Sequence, residues 1–265
     1  MERYQVAISN FINKMNYLEN DHVLGIIVYG SYVTGYNNKN SDIDMHIIKD
    51  NTDERLYRGV SNVDGFKIEY FEKPISDIYL SIENDFETNE NAYLTIIGHG
   101  KILFDRNGNI EKLQRYILEK YSQPLPALSG DDAKEMAVII DNRMIKLRSM
   151  LENNKPEFIY NYYLVVEKIR KFYSRLCGCA NIPVDKAFRI YTDEKYRESF
   201  CKSVIPDIDF LSMYFNAVTN TGSNEEKMNI ITELYDYTTR NLEINPNNYR
   251  ILIKSRNNPM NRNHE

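Results

Sequence analysis

Residues 28–48 read VYGSYVTGYNNKNSDIDMHII. A hydrophobic strand ends at Tyr29, and Gly30-Ser31 opens a tight turn. A polar loop, Tyr36 to Asn40, leads into Ser41, Asp42, Ile43 and Asp44, and a second apolar strand follows to Lys49. Strand side chains alternate between faces, so Asp42 and Asp44 share one face and Ile43 takes the other. Two carboxylates that close repel each other unless a cation lies between them. Hard oxygen ligands on a rigid strand suit Mg²⁺, which also takes oxygens from a phosphate. Gly30 lets the backbone approach a ligand closely. Backbone N–H groups at such a turn, with the Ser31 hydroxyl, can cradle an anion. A lone Asp-x-Asp or a lone Gly-Ser is ordinarily a strand end or a loop. Their conjunction between two apolar strands is what makes the stretch specific.

The run resembles the signature of the DNA polymerase β-like nucleotidyltransferase superfamily, G-S-x-x-x-G-x5-S-D-[IL]-D. Gly30, Ser31, Gly35, Ser41, Asp42, Ile43 and Asp44 each fall on a position of that signature. Many small members carry Ala-Arg before the second glycine, where this chain has Val33-Thr34. In length and layout the chain looks most like the antibiotic nucleotidyltransferases, which act on aminoglycosides and lincosamides. The strong likeness spans residues 23 to 105. It implies an α+β fold: a mixed sheet flanked by helices, followed by an all-α helical bundle. It also implies transfer of a nucleoside monophosphate from an NTP, with ATP favoured, to a hydroxyl, releasing pyrophosphate. Two Mg²⁺ ions would be bridged by Asp42 and Asp44. Gly30, Ser31 and Ser41 would hold the nucleotide.

A third carboxylate is expected on a neighbouring strand. Asp64-Gly65 signals a turn, and Phe66 to Phe71 (FKIEYF) then reads as a strand. Alternation sets Glu69 apart from Ile68, so Glu69 is the candidate beside Asp42 and Asp44. It would act as a metal ligand or as the base for the acceptor hydroxyl. Glu72 competes, but falls on the opposite face.

The whole composition sets bounds. The chain has 265 residues and a formal net charge of −5, with 42% hydrophobic and 27% charged residues. That is ordinary for a globular protein and gives no general affinity for nucleic acid. The acidic balance suits a cationic small molecule, and so does the acidic stretch holding Glu83, Asp85, Glu87 and Glu90. Cys177, Cys179 and Cys201 are too few and too unevenly placed for a disulfide framework or a zinc site. No leader pattern opens the chain. No run approaches the roughly 18 apolar residues of a membrane span. A cytoplasmic enzyme is expected.

Helical spacing predicts a helix over 2–18, short apolar runs predict strands over 23–29 and 101–105, and the polar stretch 50–65 reads as a loop with a helical turn. Further helices are predicted near 75–86, 92–97, 110–121, 129–151, 156–176, 193–203, 207–217 and 224–242. The expected organisation is a catalytic domain over 1–107, a helical bundle over 108–244 and a polar, partly disordered tail over 245–265. Arg143, Lys146, Lys168, Arg170 and Lys171 are the cations of the helical half that could face a triphosphate. The alternative reading is an antitoxin-type nucleotidyltransferase that modifies a protein or RNA partner. Such proteins are typically short. A fused nuclease of that type would carry Arg-x4–6-His, which none of His22, His46, His99 and His264 completes.

Overall fold

The computed structural model describes residues 2–52, 55–200 and 203–242. Cys201 and the tail from 245 onward lie outside the described residues. By internal contacts the chain divides into two compact units. The first is Met1–Pro126 together with Ala180–Val204, and the second is Ala127–Cys179 with Ile205–Glu265. The contact boundary thus falls past the helix that follows residue 107, and one later segment returns to the first unit.

The first unit is built on a five-stranded sheet of β1 (Val23–Tyr29), β2 (Ile43–Lys49), β3 (Tyr57–Val63), β4 (Phe66–Pro74) and β5 (Lys101–Asp105), in the order β3-β4-β2-β1-β5. Only β2 and β4 pair in parallel, so the sheet is mixed, as expected. Both faces are covered, which is why β1 and β2 read as continuous apolar runs. On one face Ile26, Val28, Ile43, Met45, Ile47 and Ile68 pack against Ile8, Phe11 and Ile12 of α1 (Arg3–Lys14). On the other face Ile27 and Ile48 meet Ile78 and Ile82 of α3 (Ile75–Glu87), and Ile110, Leu113 and Ile117 of α4 (Asn109–Ser122). α4 sits close because β1 has Gly25, where a Cβ would lie 2.1 Å from Ile110 Cγ1.

β3 corrects the loop expected over 50–65. YRGVSNV lacks an apolar face because it is an edge strand paired only to β4, with Tyr57, Arg58 and Val60 exposed. The helix expected over 92–97 is a π-helical turn, Leu94–Gly98.

Among the described residues, the regular elements of the second unit are helices: α5 (Gly130–Glu152), α6 (Phe158–Leu176), α9 (Ile208–Thr219) and α10 (Asn224–Thr239). Ala137, Ile140, Met144 and Leu147 of α5, Tyr162 and Ile169 of α6, Phe210 of α9 and Leu234 of α10 are buried. Asp207 caps α9 at Phe210 N (3.0 Å) and accepts from the Tyr173 hydroxyl at 2.5 Å. Arg170 is fully buried in this unit, its guanidinium 2.8 Å from Glu167.

Between α6 and α9 the chain crosses back to the first unit as α7 (Val184–Thr192) and α8 (Glu194–Phe200). α7 was not read from the sequence. Ile182, Ala187, Ile190, Tyr196 and Phe200 form a small core of their own, closed by Tyr36. The Arg189 guanidinium lies 4.0 Å from the Tyr196 ring centre and 4.5 Å from that of Tyr36. Tyr36 belongs to the loop after Gly35, so α7 and α8 are fastened to the motif loop itself.

Candidate active site

The end of β1, the short helix α2 (Ser31–Thr34) and the start of β2 build the centre. Gly30 has φ +74°, a left-handed value that a side chain would strain. A Cβ there would lie 2.6 Å from Asp44 Oδ2. Gly30 is therefore required twice, for its backbone angle and for the closeness of the turn to Asp44. Gly35 closes α2 in the left-handed region, and Tyr36 N–H donates to the Ser31 carbonyl at 3.0 Å.

Asp44 lies in register with Tyr29 of β1 on one side and Glu69 of β4 on the other. The parallel ladder brings Glu69 beside Asp44, as the alternation in FKIEYF implies. It begins at Ile43↔Ile68, so Asp42 stands one residue before the strand, level with Lys67. Lys67 Nζ donates to Asp42 Oδ2 at 2.5 Å. Arg58 of β3 donates through Nε to Glu69 Oε1 at 2.8 Å. Glu72, the competing carboxylate, accepts from the Tyr17 hydroxyl at 2.8 Å and lies 3.7 Å from Lys49 Nζ. It belongs to the α1 face, away from Asp44.

The electrostatics follow from this arrangement. Burial, then Asp42 and Glu69, push the Asp44 carboxyl up to about 6, while Lys186 and Lys67 oppose the shift. The Lys67 hydrogen bond holds Asp42 below the usual carboxylate range. Burial and Asp44 raise the Tyr29 phenol. Under the site His46 is 3% exposed and stacks on Phe71 with ring centres 5.3 Å apart. Burial pushes its pKa down to about 3 and keeps the ring neutral.

Among the described residues, no group of three or more His, Cys, Asp or Glu side chains forms a ready metal cage. Asp42 and Glu69 are instead engaged by Lys67 and Arg58. The donor chemistry nevertheless fits a hard divalent cation. All three groups are carboxylates, and Asp44 is crowded by like charges that a bound cation would relieve.

Ser31 heads α2, next to Gly30. Ser41 serves the loop: its Oγ accepts from Asn38 N–H at 2.9 Å, and its N–H donates to Asn38 O at 3.0 Å. Of the acidic stretch, Asp85 is buried and accepts from Tyr93 N–H at 2.9 Å. Glu83 pairs with Tyr116 and Lys120. Glu90 lines a cleft of about 310 Å³ that also includes Tyr29, Gly30, Asp44, Asn181 and Lys186.

Sequence reasoning missed Lys186 and Asn181. Its candidate cations, Arg143 to Lys171, all belong to the second unit. The available signal was Pro183, followed by apolar positions Ala187 and Ile190 at helical spacing with Lys186 on the same short helix.

Residues 13–109 match the family model described as Polymerase beta, Nucleotidyltransferase. Among solved structures, the chain is similar to a nucleotidyltransferase-like protein from Exiguobacterium sibiricum 255-15, at 9% identity and a TM-score of 0.49. That alignment covers 89% of this chain and 74% of the other. No curated protein matches the chain. The family-model match over residues 13–109 supports a nucleotidyltransferase, the enzyme class to which the motif at 30–44 points.

Proposed function

We propose that this domain, with the returning segment 180–204, moves a nucleoside monophosphate from an NTP to a hydroxyl of a small cationic acceptor of aminoglycoside type. One observation carries the reading. Asp44 is in register with Glu69, on a face that Gly30 approaches closely because it lacks a Cβ. ATP is the donor that the motif resemblance favours.

In this reading the Gly30-Ser31 turn seats the phosphates, with the Lys186 ammonium in the same cleft. The acceptor oxygen attacks the α-phosphorus. The bond from that phosphorus to the bridging oxygen breaks, and pyrophosphate leaves. Glu69 takes the hydroxyl proton. Asp42 and Asp44 would hold two Mg²⁺ ions, which supply charge neutralisation to the triphosphate and acidify the acceptor hydroxyl.

The acceptor class has its own support. Asn181 is 6% exposed, and its Oδ1 is buried with no hydrogen-bond partner. Its Nδ2 reaches Glu90 Oε1 at 3.5 Å. The Glu90 carboxylate on the same cleft wall favours donors, such as ammonium or hydroxyl groups. We place the enzyme in the cytoplasm, in keeping with three cysteines too few and too unevenly placed for a disulfide framework. Among the described residues, no helix is long and apolar enough to cross a membrane.

The test is incubation with Mg²⁺, each NTP in turn and a panel of antibiotics, followed by mass spectrometry of the acceptors. An acceptor heavier by one nucleoside monophosphate is expected with an amine-bearing member. A panel modified only on neutral molecules would sink the acceptor assignment.

A further inference from the structure

The three site carboxylates are not left bare. Along the sheet face, Asp42 is level with Lys67 and Asp44 with Glu69, so one cross-strand pair is opposite in charge and the other is alike. Lys67 takes Asp42 at 2.5 Å, and Arg58 takes Glu69 through Nε at 2.8 Å. Asp44, between them, accepts from neither. Both cations are on long side chains that remain half-exposed or more, at 51% for Lys67 and 69% for Arg58. They can therefore swing away without disturbing the core.

From this we infer that Lys67 and Arg58 are built-in competitors for the divalent cation. Each occupies a carboxylate that a metal would need. A free cation arriving alone must displace Lys67 from Asp42 and bring two positive charges next to a third. A cation arriving with a nucleoside triphosphate brings compensating negative charge, which also gives the released ammonium a new partner. The site thus retains metal weakly until nucleotide enters with it. Lys67 is a positioning residue for Asp42. This inference rests on the proposed function for its nucleotide, but its first measurement needs metal alone.

Mn²⁺ binding to the full chain, followed by electron paramagnetic resonance, tests it. Lys67→Met should bind Mn²⁺ alone more tightly than the wild type, by up to about fivefold, the upper end for a half-exposed ion pair. Lys67→Arg should keep the weak wild-type affinity. A non-hydrolysable NTP should raise Mn²⁺ affinity more in the wild type than in Lys67→Met. Arg58→Met provides an independent variant at the other carboxylate and should shift in the same direction. Unchanged or weaker Mn²⁺ binding in Lys67→Met, with a normal melting curve, would overturn the inference. A wild type that shows the Lys67 effect but transfers no nucleotide to any acceptor would sink the proposed function and leave this inference standing.

Discussion

Gly30 and Asp44 are so close that neither can change without the other. Gly30→Ala must place a methyl where Asp44 Oδ2 now lies 2.6 Å away, on a backbone angle that alanine resists. The expected cost is about 1–3 kcal/mol of local strain, with loss of most of the transfer activity. Thermal melting and a transfer assay on the same preparation read both effects. A fully active Gly30→Ala would show that the turn does not approach the reacting groups.

Glu69 and Glu72 separate function from structure. Glutamine keeps the shape of glutamate but cannot take a proton. Glu69→Gln should lower kcat by about 10²–10⁴ while NTP affinity stays nearly unchanged. A drop in NTP affinity with kcat preserved would instead make Glu69 chiefly a metal ligand. Glu72→Gln should leave kcat alone and lower the melting temperature, because it loosens Tyr17 and the buried Lys49. At this scale the sequence was informative where alternation applies: Asp44, Glu69 and Glu72 stand on the faces that it implies. Lys67 was visible in FKIEYF, but its pairing with Asp42 depends on strand register, which no local pattern supplies. Arg58 was hidden for the same reason, in a strand that was not recognised.

The elements most legible in the sequence were those with a buried stripe or a doubly covered strand. β1, β2, α1, α5 and α6 follow the expected spans to within a few residues. β3 escaped because an edge strand with little burial has no period-2 apolar signal to read. α7 escaped because it is short and buries only Ala187 and Ile190. That omission matters for function, since α7 carries Lys186 into the cleft with Asp44. Lys186→Met should raise the KM for NTP about tenfold, the loss expected for one charged contact to phosphate. Steady-state kinetics with varied NTP check it, and an unchanged KM would remove α7 from nucleotide binding. Packing makes a separate demand at Gly25. Gly25→Ala should cost about 1–3 kcal/mol, because its Cβ would collide with Ile110. Denaturant unfolding measures that loss, and a variant as stable as the wild type would mean that α4 yields freely.

Over the whole molecule, the α+β class followed from the resemblance carried by the motif at 30–44, and the helical character of the later part was readable from its hydrophobic period. The return of 180–204 to the first unit was not. It is fixed by contacts between residues about ninety or more positions apart, such as Asn181 N–H to Asn89 O at 2.7 Å and Asn91 Nδ2 to Phe200 O at 2.6 Å. No window of local sequence contains such a pair. The consequence is that the residues lining the cleft come from both ends of a long excursion, and the nucleotidyltransferase motif accounts for only one wall of it.

The central claim is that Asp44 is the carboxylate around which transfer is arranged. Asp44→Asn tests it most directly. Asparagine nearly preserves the shape beside Gly30 and removes the charge that the site concentrates. The measurement is the amount of nucleoside monophosphate transferred to the acceptor per enzyme per unit time, by mass spectrometry, in a variant with unchanged circular dichroism. A loss of at least about 10²–10⁴ in rate is expected, the range for removal of a group essential to the chemical step. A folded Asp44→Asn that turns over near the wild-type rate would contradict the account.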